Sequence, residues 1–165
     1  MNNLLDKEPV KRVEKVLAQF DQSIKIQILD KTARTAEDAA ESLKTEVGSI
    51  VKSLLLRTKT SFLLCLVAGD KRCSLNKVKK LLNQKDVSMA NAEQVKEITG
   101  FTIGGVSPVG HINKIDIYID ESLKRFVNIF AAAGHPNAIF KIDLKNLKEI
   151  TNGTIMNVSE WDNLY

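Results

Sequence analysis

With 165 residues, 44% of them hydrophobic and 27% charged, the chain has the size and composition of one soluble globular domain, enough to bury about two thirds of its unfolded surface. A net charge of +4 and a pI of about 9.0 make it mildly basic, compatible with an anionic partner such as RNA. Met1–Pro9 lacks the apolar core of a secretory signal, and the longest apolar run, Phe62–Ala68, falls far short of the ~20 residues that span a bilayer.

In chain order, Pro9 suits a first helical turn, and Val10, Val13, Val16, Leu17 and Phe20 recur at helical spacing up to Asp21–Ser23. Residues 24–29 alternate apolar and polar, as a half-buried strand does. Thr35, with Asp38 three residues on, opens a helix with Ala36, Ala39, Ala40 and Leu43 inward and Gly48 as its stop. Residues 50–57 form a strand in which Ile50, Lys52, Leu54 and Leu56 share a face, so a lysine stands in an apolar row. The run 62–68 is apolar on both faces and predicts a central strand, with a turn at 69–72.

Ser74 caps a helix with Leu75, Val78, Leu81 and Leu82 inward, and 87–89 is a short extended piece. Asn91 and Gln94 start a further helix that Gly100 ends. Strands follow at 115–120, 127–133 and 138–142. Asp143 then caps a helix carrying Leu144, Leu147 and Ile150 that stops at Gly153, and 155–158 reads as a last edge strand. Several strands succeed one another with no room for a crossover helix. The expected fold is therefore α/β of the α+β kind: one domain over residues 1–165, with a mixed, partly barrel-like sheet and flanking helices.

Punctuation concentrates in one stretch, Thr99–Pro136. It holds five of the 8 glycines, two of the 3 prolines and both histidines. Glycine admits backbone conformations and close approaches that other residues do not, so Gly104-Gly105-Val106-Ser107-Pro108 reads as a shaped loop. The usual phosphate-loop and dinucleotide signatures are missing, as are a nucleophilic-serine elbow and a close carboxylate pair. Ser107 precedes a proline and has no evident base nearby, so it is not read as a nucleophile. Cys65 and Cys73 have no metal-ligand spacing and His111 and His135 lie far from them. No metal or cofactor is expected, and the thiols suit a reducing cytoplasm. What remains is Lys52, the glycine loop and the two histidines, which make a site if the fold brings them together.

Four segments carry a resemblance: Thr35–Ala40, Ile50–Leu54, Val67–Arg72, and Thr99-Gly100-Phe101 with Gly104–His111. Asp120–Leu123 and Ala132–Pro136 extend it, so that it spans residues 23–153 in order and spacing. They are similar to the YbaK-type aminoacyl-tRNA deacylases, relatives of the editing insertion in bacterial prolyl-tRNA synthetases. The resemblance implies a partly closed mixed sheet and hydrolysis of the ester that joins a wrong, small amino acid to tRNA, with tRNA for proline favoured. Lys52 matches the signature lysine, Gly104 to Pro108 the Gly-x-x-x-Pro loop, and His135 a histidine of some branches.

The resemblance thus implies that Lys52, Gly104, Gly105 and Pro108 carry the chemistry, while Ser107, His111, Gly134 and His135 meet the aminoacyl end. Arg57, Lys59, Lys71 and Arg72, read as a cluster at strand ends, are the candidates for tRNA phosphates. The expected partners are aminoacyl-tRNA and an aminoacyl-tRNA synthetase, in the cytoplasm and away from membranes. A second reading is a non-catalytic module that grips tRNA or docks on a synthetase.

Overall fold

Local patterning resolves into five α-helices and ten strands over residues 3–30 and 35–162, which the computed structural model describes. In order these are α1 (Glu8–Phe20), β1 (Ile26–Ile28), α2 (Ala36–Leu43), β2 (Ile50–Arg57), β3 (Phe62–Ala68), β4 (Lys71–Cys73), α3 (Leu75–Leu82) and β5 (Ser88–Met89). The second half contributes α4 (Ala92–Thr99), β6 (Asp116–Asp120), β7 (Ile129–His135), β8 (Ala138–Ile142), α5 (Leu144–Thr151), β9 (Thr154–Met156) and β10 (Ser159–Trp161). Short 3-10 turns at Leu4–Asp6, Val47–Ser49 and Glu121–Arg125 link some of them. Among the described residues no helix is long and apolar enough to cross a membrane.

The main sheet is mixed, as expected, in the order β1-β8-β7-β2-β3-β6-β9, with β5 pairing β2 off that path. At its centre β3 is apolar on both faces. Leu64, Leu66 and Ala68 enter the main core with α1, whereas Leu63, Cys65 and Val67 pack on the other side with Val78 of α3. Helix α1 buries Val10, Val13 and Leu17, which meet Ala131 and Ala133 of β7 in that core. Each fully buried valine or leucine contributes about 2 kcal/mol by removal from water.

Helix starts follow their local signals. Thr35 Oγ1 accepts from the Asp38 amide, Ser74 caps α3, Asp143 caps α5, and Asn91 and Gln94 form a reciprocal capping box. Helix ends follow theirs in part: α1 stops at Asp21 and α4 at Gly100 (φ 80°), as expected. Helix α2 stops at Lys44 (φ 55°) rather than at Gly48, and α5 stops at Asn152 (φ 53°) rather than at Gly153. Gly48 instead sits in the 3-10 turn, where a Cβ would come within 2.6 Å of the Phe126 ring.

Four strand expectations also shift. The first strand is confined to Ile26–Ile28. β7 runs two residues further than expected, so Gly134 and His135 lie within a strand. The expected turn at 69–72 is a turn only at Gly69–Asp70, because Lys71 already begins β4. The tail divides into β9, parallel to β6, and β10, which pairs antiparallel with β4 in a separate two-stranded ribbon. Three-residue polar strands such as Lys71–Cys73 carry no readable periodicity, so only the partner reveals them.

Candidate active site

A gap in the sheet makes the site. One edge of β2 is paired with β3 along its length, from Val51 to Arg57. The other edge changes partner: Ile50 and Val51 pair in parallel with β7, while Leu56 and Arg57 pair with β5. Lys52, Ser53 and Leu54 belong to neither of those two ladders, and beside them opens a cavity of about 460 Å³. Ala36 and Ala39 of α2 wall one side, and Ile103, Gly104 and Val106 another. Ala132, Pro136 and Ile139 bring in the β7–β8 hairpin, and Asp162 follows β10 into the lining.

Lys52 is half-buried in this cavity, and its Nζ donates to the main-chain carbonyl of Lys71. Burial lowers its pKa, opposed by the negative charges of Asp162, Glu37 and Asp70 and by Cys73. The ammonium that stands in an apolar row of β2 therefore finds its partners within the chain. Next to it, the Ser53 hydroxyl is buried and has no hydrogen-bond partner among the described residues.

The glycine loop meets the β7–β8 hairpin. Gly104 (φ +96°) presents its missing Cβ 3.5 Å from the Pro136 ring. At Gly105 a Cβ would stand 3.0 Å from the His135 Cα and amide nitrogen, so the two backbones touch. Lys52, Gly104 and Pro136 thus share one cavity, and Gly105 and His135 abut directly behind its wall. His135 Nδ1 accepts from the Asn137 amide, which leaves Nε2 carrying the proton in the neutral ring. Burial and the charge of Lys7 hold its pKa below the usual histidine value.

Other residues singled out in the sequence shape the loop from within. Ser107 is fully buried, with Oγ accepting from the Val109 amide, and Pro108 is buried beside it. His111 Nε2 lies 2.7 Å from the Ser107 carbonyl oxygen, and its ring meets Phe101 edge-on at 5.9 Å. Gly134 (φ +93°) faces α1, where a Cβ would lie 2.8 Å from the Pro9 carbonyl. None of these four residues belongs to the cavity lining.

The basic residues do not form the single cluster expected. In the β2–β3 register Arg57 stands opposite Phe62, at the end of the hairpin away from the Val51–Ala68 pair that precedes Lys71 and Arg72. Arg57 bonds Asp86 and Ser88, and Lys59 is exposed in the neighbouring turn. Arg72 bonds Glu160, and Lys71 stacks on Trp161. Strand pairing separates what spacing along the chain had suggested to be one patch. Cys65 and Cys73 are free, and the neighbouring Cys73 thiol together with burial pushes the Cys65 thiol up.

Three residues near the site carried no sequence signal that marked them. Arg12 of α1 donates to the carbonyls of both Gly100 and Gly110 and covers the Phe101 ring. Ser53 was visible only as the neighbour of Lys52. Asp162 reaches the cavity because β10 pairs with β4, a pairing two short polar segments do not advertise.

The mixed sheet, opened along one strand, thus places Lys52 and Gly104 of the glycine loop in the lining of one cavity. The chain belongs to the aminoacyl-tRNA editing domain family, whose pattern matches residues 30–150. A crystal structure of a proposed trans-editing enzyme for prolyl tRNA synthetase superposes with a TM-score of 0.88 at 35% identity, covering 93% of this chain and 98% of that one. The uncharacterized protein YwhH of Bacillus subtilis is 31% identical over 143 residues, 86% of this chain and 90% of its own. A proline–tRNA ligase of Kosmotoga olearia is 34% identical over 131 residues, 79% of this chain, which spans only 21% of that longer protein.

Proposed function

We propose that this chain hydrolyses the ester that joins a wrongly attached small amino acid to tRNA, with tRNA for proline favoured, in the cytoplasm. The observation that carries the reading is the joining of Lys52 and Gly104 in one cavity along the β2 edge that lies outside both ladders. An aminoacyl ester is already activated, so positioning a water and stabilising the developing oxyanion suffice for rapid hydrolysis. In this reading the Lys52 ammonium and main-chain groups of the glycine loop supply that stabilisation, and no metal takes part. Small walls at Ala36, Ala39, Ala132 and Gly104 suit a small side chain. His135, behind Pro136, tunes which amino acid fits, since one methylene in a pocket changes binding by only ~1–3 kcal/mol.

The test is a panel of mischarged tRNAs incubated with the purified protein under single-turnover conditions, beside folded Lys52→Ala. Release of a small amino acid, reduced by roughly 10²-fold or more in the variant, is the expected result. Near-normal release by Lys52→Ala would overturn the role of the lysine. Binding of tRNA with no release would instead favour a non-catalytic module.

A further inference from the structure

Trp161 is the chain's single tryptophan, and 56% of it is exposed. It ends β10, directly opposite Lys71 of β4. The Lys71 ammonium lies 4.5 Å from the indole centroid and the Arg125 guanidinium 5.3 Å from it. Beside the indole a second cavity of about 300 Å³ is lined by four cations, Lys71, Lys77, Lys124 and Arg125.

Its acids oppose these cations weakly. Asp120 is wholly buried and spends its carboxylate accepting from the Val158 amide and from Ser122 and Ser159. Glu121 remains at the surface. Arg125 is held by Asp70, and Lys77 donates to Asn157 and Ser159, so both cations are fixed in place. Lys124 is exposed.

This second cavity adjoins the first. The residue after Trp161 is Asp162, which lines the Lys52 cavity, and the carbonyl that holds Lys52 belongs to Lys71. Residues of the β4–β10 ribbon and the one that follows it therefore border both cavities. The ribbon's β10 strand lies beyond residues 30–150, the part that matches the family.

We propose that this ribbon is a nucleobase platform: a base of a single-stranded RNA end stacks on Trp161 while Lys71, Lys77 and Lys124 meet its phosphates. The chemistry fits because every base has a stackable face, and aromatic side chains set among cations are how single strands are gripped without sequence readout. The proposal rests on the deacylase reading for its ligand but is tested apart from it.

Because Trp161 is the only tryptophan, its emission reports this site alone. A short, non-acylated single-stranded RNA ending in CCA should quench it saturably, with affinity that falls as salt rises. A blunt duplex and a polyglutamate peptide should quench far less. With labelled RNA and anisotropy, Trp161→Ala should bind on the order of tenfold more weakly and Trp161→Phe should retain most of the affinity. Thermal melting of both variants checks that they fold.

Absence of quenching by the RNA, or equal quenching by polyglutamate, would overturn the platform, the latter pointing to an acidic protein partner. Quenching by RNA in a protein that releases no amino acid would leave the platform standing and remove the hydrolytic reading. Release of amino acid with neither quenching nor any effect of Trp161→Ala would remove the platform alone.

Discussion

Arg12 and Gly110, 98 positions apart, are joined by a 3.0 Å hydrogen bond from Nε to the glycine carbonyl. The same guanidinium donates through Nη2 to the Gly100 carbonyl at 3.0 Å and lies 4.8 Å from the Phe101 ring centroid. One side chain of α1 therefore ties both ends of the segment that carries the glycine loop. Arg12→Ala should destabilise the fold by about 2–3 kcal/mol, since it removes two charge-assisted bonds and a packed stem. Arg12→Lys should recover only part of this, because an ammonium cannot span two carbonyls as a planar fork does. Urea unfolding measures both, and a loss below about 0.5 kcal/mol for Arg12→Ala would show the clamp to be idle.

His111 makes the same segment sensitive to acid. Burial lowers its pKa below 6.5, the bond to the Ser107 carbonyl opposes that, and the charge of Arg12 adds to it. A histidine depressed in the folded state binds more protons when unfolded, so its stabilising contribution is complete above about pH 6.5. That contribution is lost as pH falls through the lowered value. His135, depressed by burial and by Lys7, acts with the same sign. Unfolding free energy should therefore decline as pH falls below about 6.5, and His111→Gln should flatten the decline without abolishing it. A stability that rises over this range would contradict the assignment.

Ser53 offers the cavity a hydroxyl that nothing in the described chain satisfies. A buried, unpaired hydroxyl costs about 1–3 kcal/mol, which a bound substrate would offset. Ser53→Ala should leave stability unchanged or raise it by up to about 1 kcal/mol, while slowing amino-acid release by roughly tenfold. Melting and single-turnover assays read the two effects separately. Unaltered release would assign the hydroxyl no part in binding.

Gly105 and Gly104 should respond differently to alanine. At Gly105 the added Cβ meets main-chain atoms of His135 at 3.0 Å and of Gly134 at 3.1 Å, which cannot rotate aside. Gly105→Ala should thus push the loop off the β7–β8 hairpin, destabilising by about 1–3 kcal/mol and depressing release. At Gly104 the Cβ meets only the Pro136 ring at 3.5 Å, and the penalty comes from φ +96°. Its cost should be about 1–2 kcal/mol. Equal melting temperatures for wild type and Gly105→Ala would refute the close approach.

The sequence by itself determined the helix starts at Thr35, Ser74, Asn91 and Asp143, the central position of β3 and the family motifs at Lys52 and Gly104–Pro108. Each is a local matter: a cap bonds an amide three residues away, and a strand buried on both faces is apolar throughout. Gly100 likewise ends α4, but α2 and α5 stop at left-handed Lys44 and Asn152 ahead of the expected glycines, since a left-handed residue costs only ~1–2 kcal/mol.

Only the tertiary structure decided that β2 changes partners beside Lys52, that Lys71 and Asp162 surround its ammonium, and that Arg57 stands at the hairpin's far end. It also placed Arg12 on the glycine segment and Ser53 in the cavity. These relationships depend on register and on contacts between distant segments. Such contacts form only when the whole chain closes on its core, so no short window of sequence contains them.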